Sequence, residues 1–139
     1  MAGARQIRDA LAAALQQLPG CQVLAYPPAQ PQYPCIYVLG PEIDYDRALH
    51  RGVDEWTFTI QALCSLATVE GGTFRMDEFM ESSGPGSVKA VLEQDTTLGG
   101  AVDDLRVTRG RADQIATIPG TQVQVVVGEW TVTVISEGA

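Results

Sequence analysis

The segment DEWTFTIQALC, residues 54–64, alternates without a break. Trp56, Phe58, Ile60 and Ala62 share one parity, and Thr57, Thr59 and Gln61 share the other. Successive side chains of a strand point to opposite faces, so this pattern predicts a strand with one buried and one wet face. A wet face argues for an antiparallel sheet covered on one side, because a parallel sheet buries both. Ile7, Leu11, Leu15 and Leu18 recur at spacings of four, four and three, which predicts an amphipathic helix over 6–18. Pro19-Gly20 ends it.

The remaining segments fit that frame. A short strand is expected at 22–25, followed by the connector YPPAQPQYP, whose prolines exclude both helix and central strand. Residues 35–39 read as a strand stopped by Gly40-Pro41, and 42–52 as a charged loop. A helix is expected over 69–81, with Phe74, Met76, Phe79 and Met80 available for burial. VKAVLEQ reads as a second short helix and DTTLGGA as a turn. Strands are expected at 102–109 and 122–135, with a further one near 114–118 that pairs across Pro119-Gly120 as a hairpin. In the last strand, Val123, Val125 and Val127 hold one parity and Trp130, Val132 and Val134 the other. That switch predicts a β-bulge at Gly128-Glu129. The order, without regular strand–helix alternation, indicates an α+β fold: a mainly antiparallel sheet packed with an N-terminal helix and two central helices. At 139 residues the chain, 1–139, is expected to be a single domain.

Charge and cysteine usage narrow the function. Seventeen acidic residues against nine basic ones give a net charge of −8, which argues against a protein built to grip nucleic acid. No apolar run approaches the ~18 residues of a membrane span, and Arg5, Arg8 and Asp9 interrupt any secretion-signal pattern. A cytoplasmic protein is expected. Cys21, Cys35 and Cys64 lack CxxC spacing and read as buried reduced thiols rather than a disulfide framework.

No catalytic constellation emerges. SSGPGSVK, residues 82–89, superficially resembles a phosphate loop, but its glycines are two apart and a helix, not a strand, precedes it. The stretch reads instead as a break between two helices, with Pro85 in the first turn of the second and a hydroxyl capping it. His50 is the one histidine, so no triad or histidine metal site can be built from it. A pairing of His50 with a cysteine through space is the remaining enzymatic option. The neighbours Asp54/Glu55 and Asp103/Asp104 point to opposite strand faces. Asp44 and Asp46 read as a solvated acidic loop. Arg106, Arg109 and Arg111 form the one basic cluster, near Asp95, Asp103, Asp104 and Asp113, and are expected to make salt bridges within the chain or between subunits. Neither cofactor nor metal is expected.

The run GSVKAVLEQDTTLGGAVDDLRVT, residues 86–108, resembles the tail terminator proteins of long-tailed bacteriophages, most closely those of phages that infect actinobacteria. That family carries a small residue–Val–Lys/Arg–Ala–hydrophobic–Glu run, then Asp-x-Thr-Leu-Gly-Gly-x-Val-Asp-Asp-hydrophobic-Arg-Val. Here it appears as Ser87-Val88-Lys89-Ala90, Asp95, Leu98-Gly99-Gly100 and Val102-Asp103-Asp104-Leu105-Arg106-Val107. The general plan of helix, Pro-rich connector, aromatic-alternating strand, two helices and long terminal strand is similar over most of the chain.

The resemblance implies a structural virion protein without catalysis. It would form a homo-oligomeric ring, a hexamer by expectation, that caps the head-proximal end of the tail tube. Such a ring stops polymerisation and supports head–tail joining. The implied partners are other copies of the chain, the major tail tube protein and a head–tail connector protein, with DNA passing through the channel without specific binding and no membrane involved. The implied location is the virion tail, with assembly in the host cytoplasm. The residues expected at a subunit interface or lumen are Asp44, Asp46, Arg47, Arg51, Arg106 and Arg109. Two alternatives stay open: another neck component such as a head-closure or connector protein, and a small enzyme or ligand-binding domain.

Overall fold

The computed structural model describes residues 3–27, 29, 32–44, 53–67, 70–118, 120 and 123–137. The chain runs α1 (Ala4–Leu15), β1 (Gln22–Leu24), β2 (Cys35–Asp44), β3 (Val53–Ser65), a π-helical turn (Glu70–Phe74), α2 (Arg75–Met80), α3 (Val88–Glu93), β4 (Asp104–Thr117) and β5 (Gln124–Glu137). The strands form one sheet in the order β1-β2-β3-β5-β4, antiparallel except for the short parallel pair β1–β2. This is the α+β arrangement that the order of the elements indicates.

The helices lie on one side of the sheet. Phe58, Ile60, Ala62 and Cys64 of β3 and Val126, Trp130, Val132 and Val134 of β5 share a core with Ile7, Leu11 and Leu15 of α1. Met76 and Phe79 of α2 and Val88, Val91 and Leu92 of α3 complete it. Phe79 meets Trp130 edge-on, with ring centroids 6.5 Å apart. The predicted stripe of the first helix is buried as expected, although the helix ends at Leu15 and Leu18 closes the core from the following turn.

β2 does not stop at Gly40-Pro41. It continues to Asp44, with its register to β3 shifting between Leu39 and Glu42. Pro41 has no N–H to give to the ladder and so sits at that irregularity. Gly40 has φ +102°, and a Cβ there would stand 3.3 Å from the Thr57 carbonyl oxygen. The loop expected over 42–52 is therefore strand over its first three residues, and 45–52 lie outside the described residues.

The parity switch in β5 has a different origin from the one expected. Its pairing with β3 is unbroken from Val125 to Glu137, so no bulge occurs at Gly128-Glu129. Val125, Val126 and Val127 are all buried, which means the first part of β5 is apolar on both faces. Gly128 is there for close packing: a Cβ would stand 2.5 Å from the Met76 sulfur. The bulges fall in β4 instead, between Val107 and Arg109 and between Arg111 and Gln114. They allow the two strands expected at 102–109 and 114–118 to be one 14-residue strand, hairpin-paired with β5 as anticipated for its second half.

Two helix expectations also need correction. The 69–81 helix is a π-helical turn followed by a six-residue α2, and Phe74 at their junction is 58% exposed rather than buried. Pro85 precedes α3 rather than entering its first turn. The cap is Ser87, whose hydroxyl accepts from Ala90 N–H at 3.1 Å and donates to the Glu81 carbonyl.

Candidate interaction surface

Among the described residues one face of the sheet carries no helix, and the register sets it out in rows that cross four strands. One row is Tyr37, Gln61, Glu129 and Arg111, on β2, β3, β5 and β4 in turn. The Tyr37 hydroxyl donates to Gln61 Oε1, Gln61 Nε2 donates to Glu129 Oε1 at 3.2 Å, and Arg111 Nη2 stands 3.7 Å from Glu129 Oε2. Burial holds the Tyr37 phenol above its ordinary value, with nearby Cys35 and the Glu129 charge adding to the effect. The next rows are Leu39, Thr59, Thr131 and Arg109, then Glu42, Thr57, Thr133 and Arg106. The threonines are half-buried.

At one end this face closes on itself. Cys35, Tyr37, Leu63, Val125 and Val127 form a second buried cluster, packed with Tyr33 of the Pro-rich connector and with Ile118. The wet face expected of β3 is therefore dry at Leu63 and polar from Gln61 back to Thr57.

Arg106, Arg109 and Arg111 thus stand in one column along β4, the last strand of the sheet. The Arg106 side chain is 79% exposed, with its Nε 3.9 Å from Asp104 Oδ2, and Arg111 is 47% exposed. Asp104 is one of the four acids expected to offset these arginines; Glu129, the partner of Arg111, is not. Asp95 serves its own turn: its carboxylate accepts from Thr97 Oγ1 at 2.7 Å and from the N–H groups of Thr97 and Gly99. Those bonds, the Thr97 hydroxyl foremost, hold its pKa below the ordinary value.

Of the six residues expected at an interface, Arg106 and Arg109 share this column. Asp44 closes β2 opposite Glu55, well across the sheet, and its side chain is outside the described set. Asp46, Arg47 and Arg51 lie outside the described residues, as does His50. Sequence reasoning missed the row through Gln61 and Glu129, although the parity of Gln61 in DEWTFTIQALC already placed it on the wet side. It saw Asp77/Glu78 as a carboxylate pair but gave no role to them or to Glu81, three exposed carboxylates on and just after α2.

The other features carry less. A groove of about 420 Å³ between α1 and α3 is lined largely by Ala10, Ala13, Ala14, Val91 and Leu98, with Asp95 at its rim already engaged. Among the described residues no three His, Cys, Asp or Glu side chains are grouped as a metal site. Cys35 and Cys64 are buried free thiols, and burial pushes them up to about 11 and about 12, so both are protonated at neutral pH. No protein-family model matches the chain, and no curated protein matches it.

Proposed function

We propose that this chain is the subunit of a ring that caps the head-proximal end of a phage tail tube. The ring ends tube polymerisation and offers its opposite side to the head connector, while DNA passes through without specific contacts. The reading rests on the tail-terminator-like run over 86–108, and the way that run is used in the fold supports it.

Its polar residues hold one another in place. Ser87 caps α3, Lys89 Nζ stands 2.7 Å from Glu93 Oε1, and Glu93 Oε2 accepts the Val107 N–H at 3.0 Å. Asp95 organises the turn in which Leu98, Gly99 and Gly100 all have positive φ. Val102, Leu105 and Val107 are buried, and Asp103 N–H bonds the Ile135 carbonyl at 2.9 Å. The run is thus one continuous brace from the helix layer to the sheet edge, held by Ser87, Lys89, Glu93 and Asp95 and by the buried Val102, Leu105 and Val107. The excess of acid over base suits a channel for DNA, since like charge discourages sticking.

Electron microscopy of lysates from a phage lacking this gene tests the proposal. Overlong, headless tubes are the expected result. Tails of normal length beside unattached filled heads would move the chain to the connector side of the joint, and intact infectious particles would overturn both readings.

A further inference from the structure

We infer that the arginine column of β4 binds the acidic surface of α2 on a second copy of this chain, head to tail. The contact deepens the ring reading and rests on it for the closed geometry; the pairing itself follows from charge and placement.

Arg106, Arg109 and Arg111 face the helix-free side of the sheet. Asp77, Glu78 and Glu81 are exposed on the helix side, and α2 packs beneath the same stretch of β4. The Met80 sulfur lies against Gly110, between Arg109 and Arg111 in sequence. Acid and arginine therefore stand back to back at one edge of the molecule, with the sheet between them. That separation keeps the two patches apart within one chain, whereas a copy stacked over the sheet face with little lateral shift brings one onto the other. Repetition of such a contact is heterologous, and it closes into a ring when its rotation divides the circle.

Charge alone gives register and partner choice more than affinity, because exposed ion pairs are individually weak. An apolar anchor is present beside the acids. Phe74, 58% exposed, precedes α2 by one residue, and its ring is large enough to bury against the threonine rows of the opposing sheet face. The occupant is a second copy rather than another protein because this chain supplies both complementary halves: Arg111 and Glu78 already have partners in Glu129 and Arg75, and Arg106 and Arg109 match Asp77 and Glu81.

Sedimentation of the full-length chain, run with two charge-reversed variants, tests the contact. One variant carries Arg106→Glu and Arg109→Glu, the other Asp77→Lys and Glu81→Lys; Glu78 is left in place because it pairs with Arg75. Far-UV circular dichroism checks that each stays folded. The wild-type chain is expected to self-associate at millimolar concentration, less so as salt rises. Each variant alone is expected to be weaker by about tenfold or more. An equimolar mixture of the two restores association, since every contact then again joins opposite charges. Variants that associate as well as wild type, a mixture that fails to restore association, or a wild-type chain that stays monomeric would overturn the inference. The tail-length result reads capping by whatever surface, so the ring reading and this contact fail separately.

Discussion

On the helix side of the sheet, Phe58, Ile60, Val132 and Val134 are closed off completely; one residue along each strand, Thr57, Thr59, Thr131 and Thr133 stay half-exposed. The same two strands thus serve two purposes at period two. The covered face is apolar, branched and aromatic, and its contacts reach α1, α2 and α3. The opposite face carries side chains that can exchange water for a partner at small cost: threonines, a Gln–Glu row and an arginine column. The covered side makes most of the fold, and in the proposed ring the opposite face of one copy meets α2 of the next.

Substitutions at matched positions sharpen that contrast. Phe58→Ala removes a fully buried ring and is expected to cost about 3–5 kcal/mol in urea unfolding, whereas Thr59→Ala should stay within about 0.5 kcal/mol. Equal losses at the two sites would erase the distinction. Next in size is Ser87→Ala, which strips the cap of α3 and the bond to the Glu81 carbonyl in a buried setting. A loss of about 1–2 kcal/mol is expected.

The brace over 86–108 adds a pH signature. Burial opposes ionisation of Glu93, but bonds from Lys89 and the Val107 N–H outweigh it and hold its pKa below the ordinary value. A carboxylate depressed in the folded state adds stability above its unfolded value and loses it as pH falls through the folded one. Stability should therefore fall on acidification below the carboxylate range, and Glu93→Gln should flatten that fall while lowering stability at neutral pH. Thermal unfolding against pH reads both.

The smallest effect compares the two buried thiols. Cys64 sits in the large core under the helices, while Cys35 sits in the five-residue cluster of the other face. Local opening of a small cluster is easier than opening of the main core. Pulse labelling with a thiol reagent should modify Cys35 before Cys64 under native conditions; the reverse order would mean that the second cluster is the firmer one.

The fold class was legible because β3 alternates strictly and α1 carries a clean stripe. Legibility failed where a residue answers to a distant neighbour. Gly128 looks like a bulge but is there to admit Met76, and Gly40-Pro41 looks like a stop but is an irregularity inside β2. Valines on both faces of β5 mimic a change of parity, because Val126, Val132 and Val134 enter the main core while Val125 and Val127 enter a second cluster, assembled with β2, β3 and residues near the ends of the connector and hairpin. The arginine column was half visible: the LRVTRGR spacing shows the charges, but the bulge at Thr108 is what brings Arg106 and Arg109 to one face. No spacing rule shows that α2 lies beneath them.

Whether this chain stops a growing tube is tested most directly by the length distribution of purified tail tube protein polymerised with and without it. Shorter tubes bearing a ring at one end, with mean length falling as the ratio of this chain to tube protein rises, are the predicted result. Tubes of unchanged length and bare ends at every ratio would contradict it.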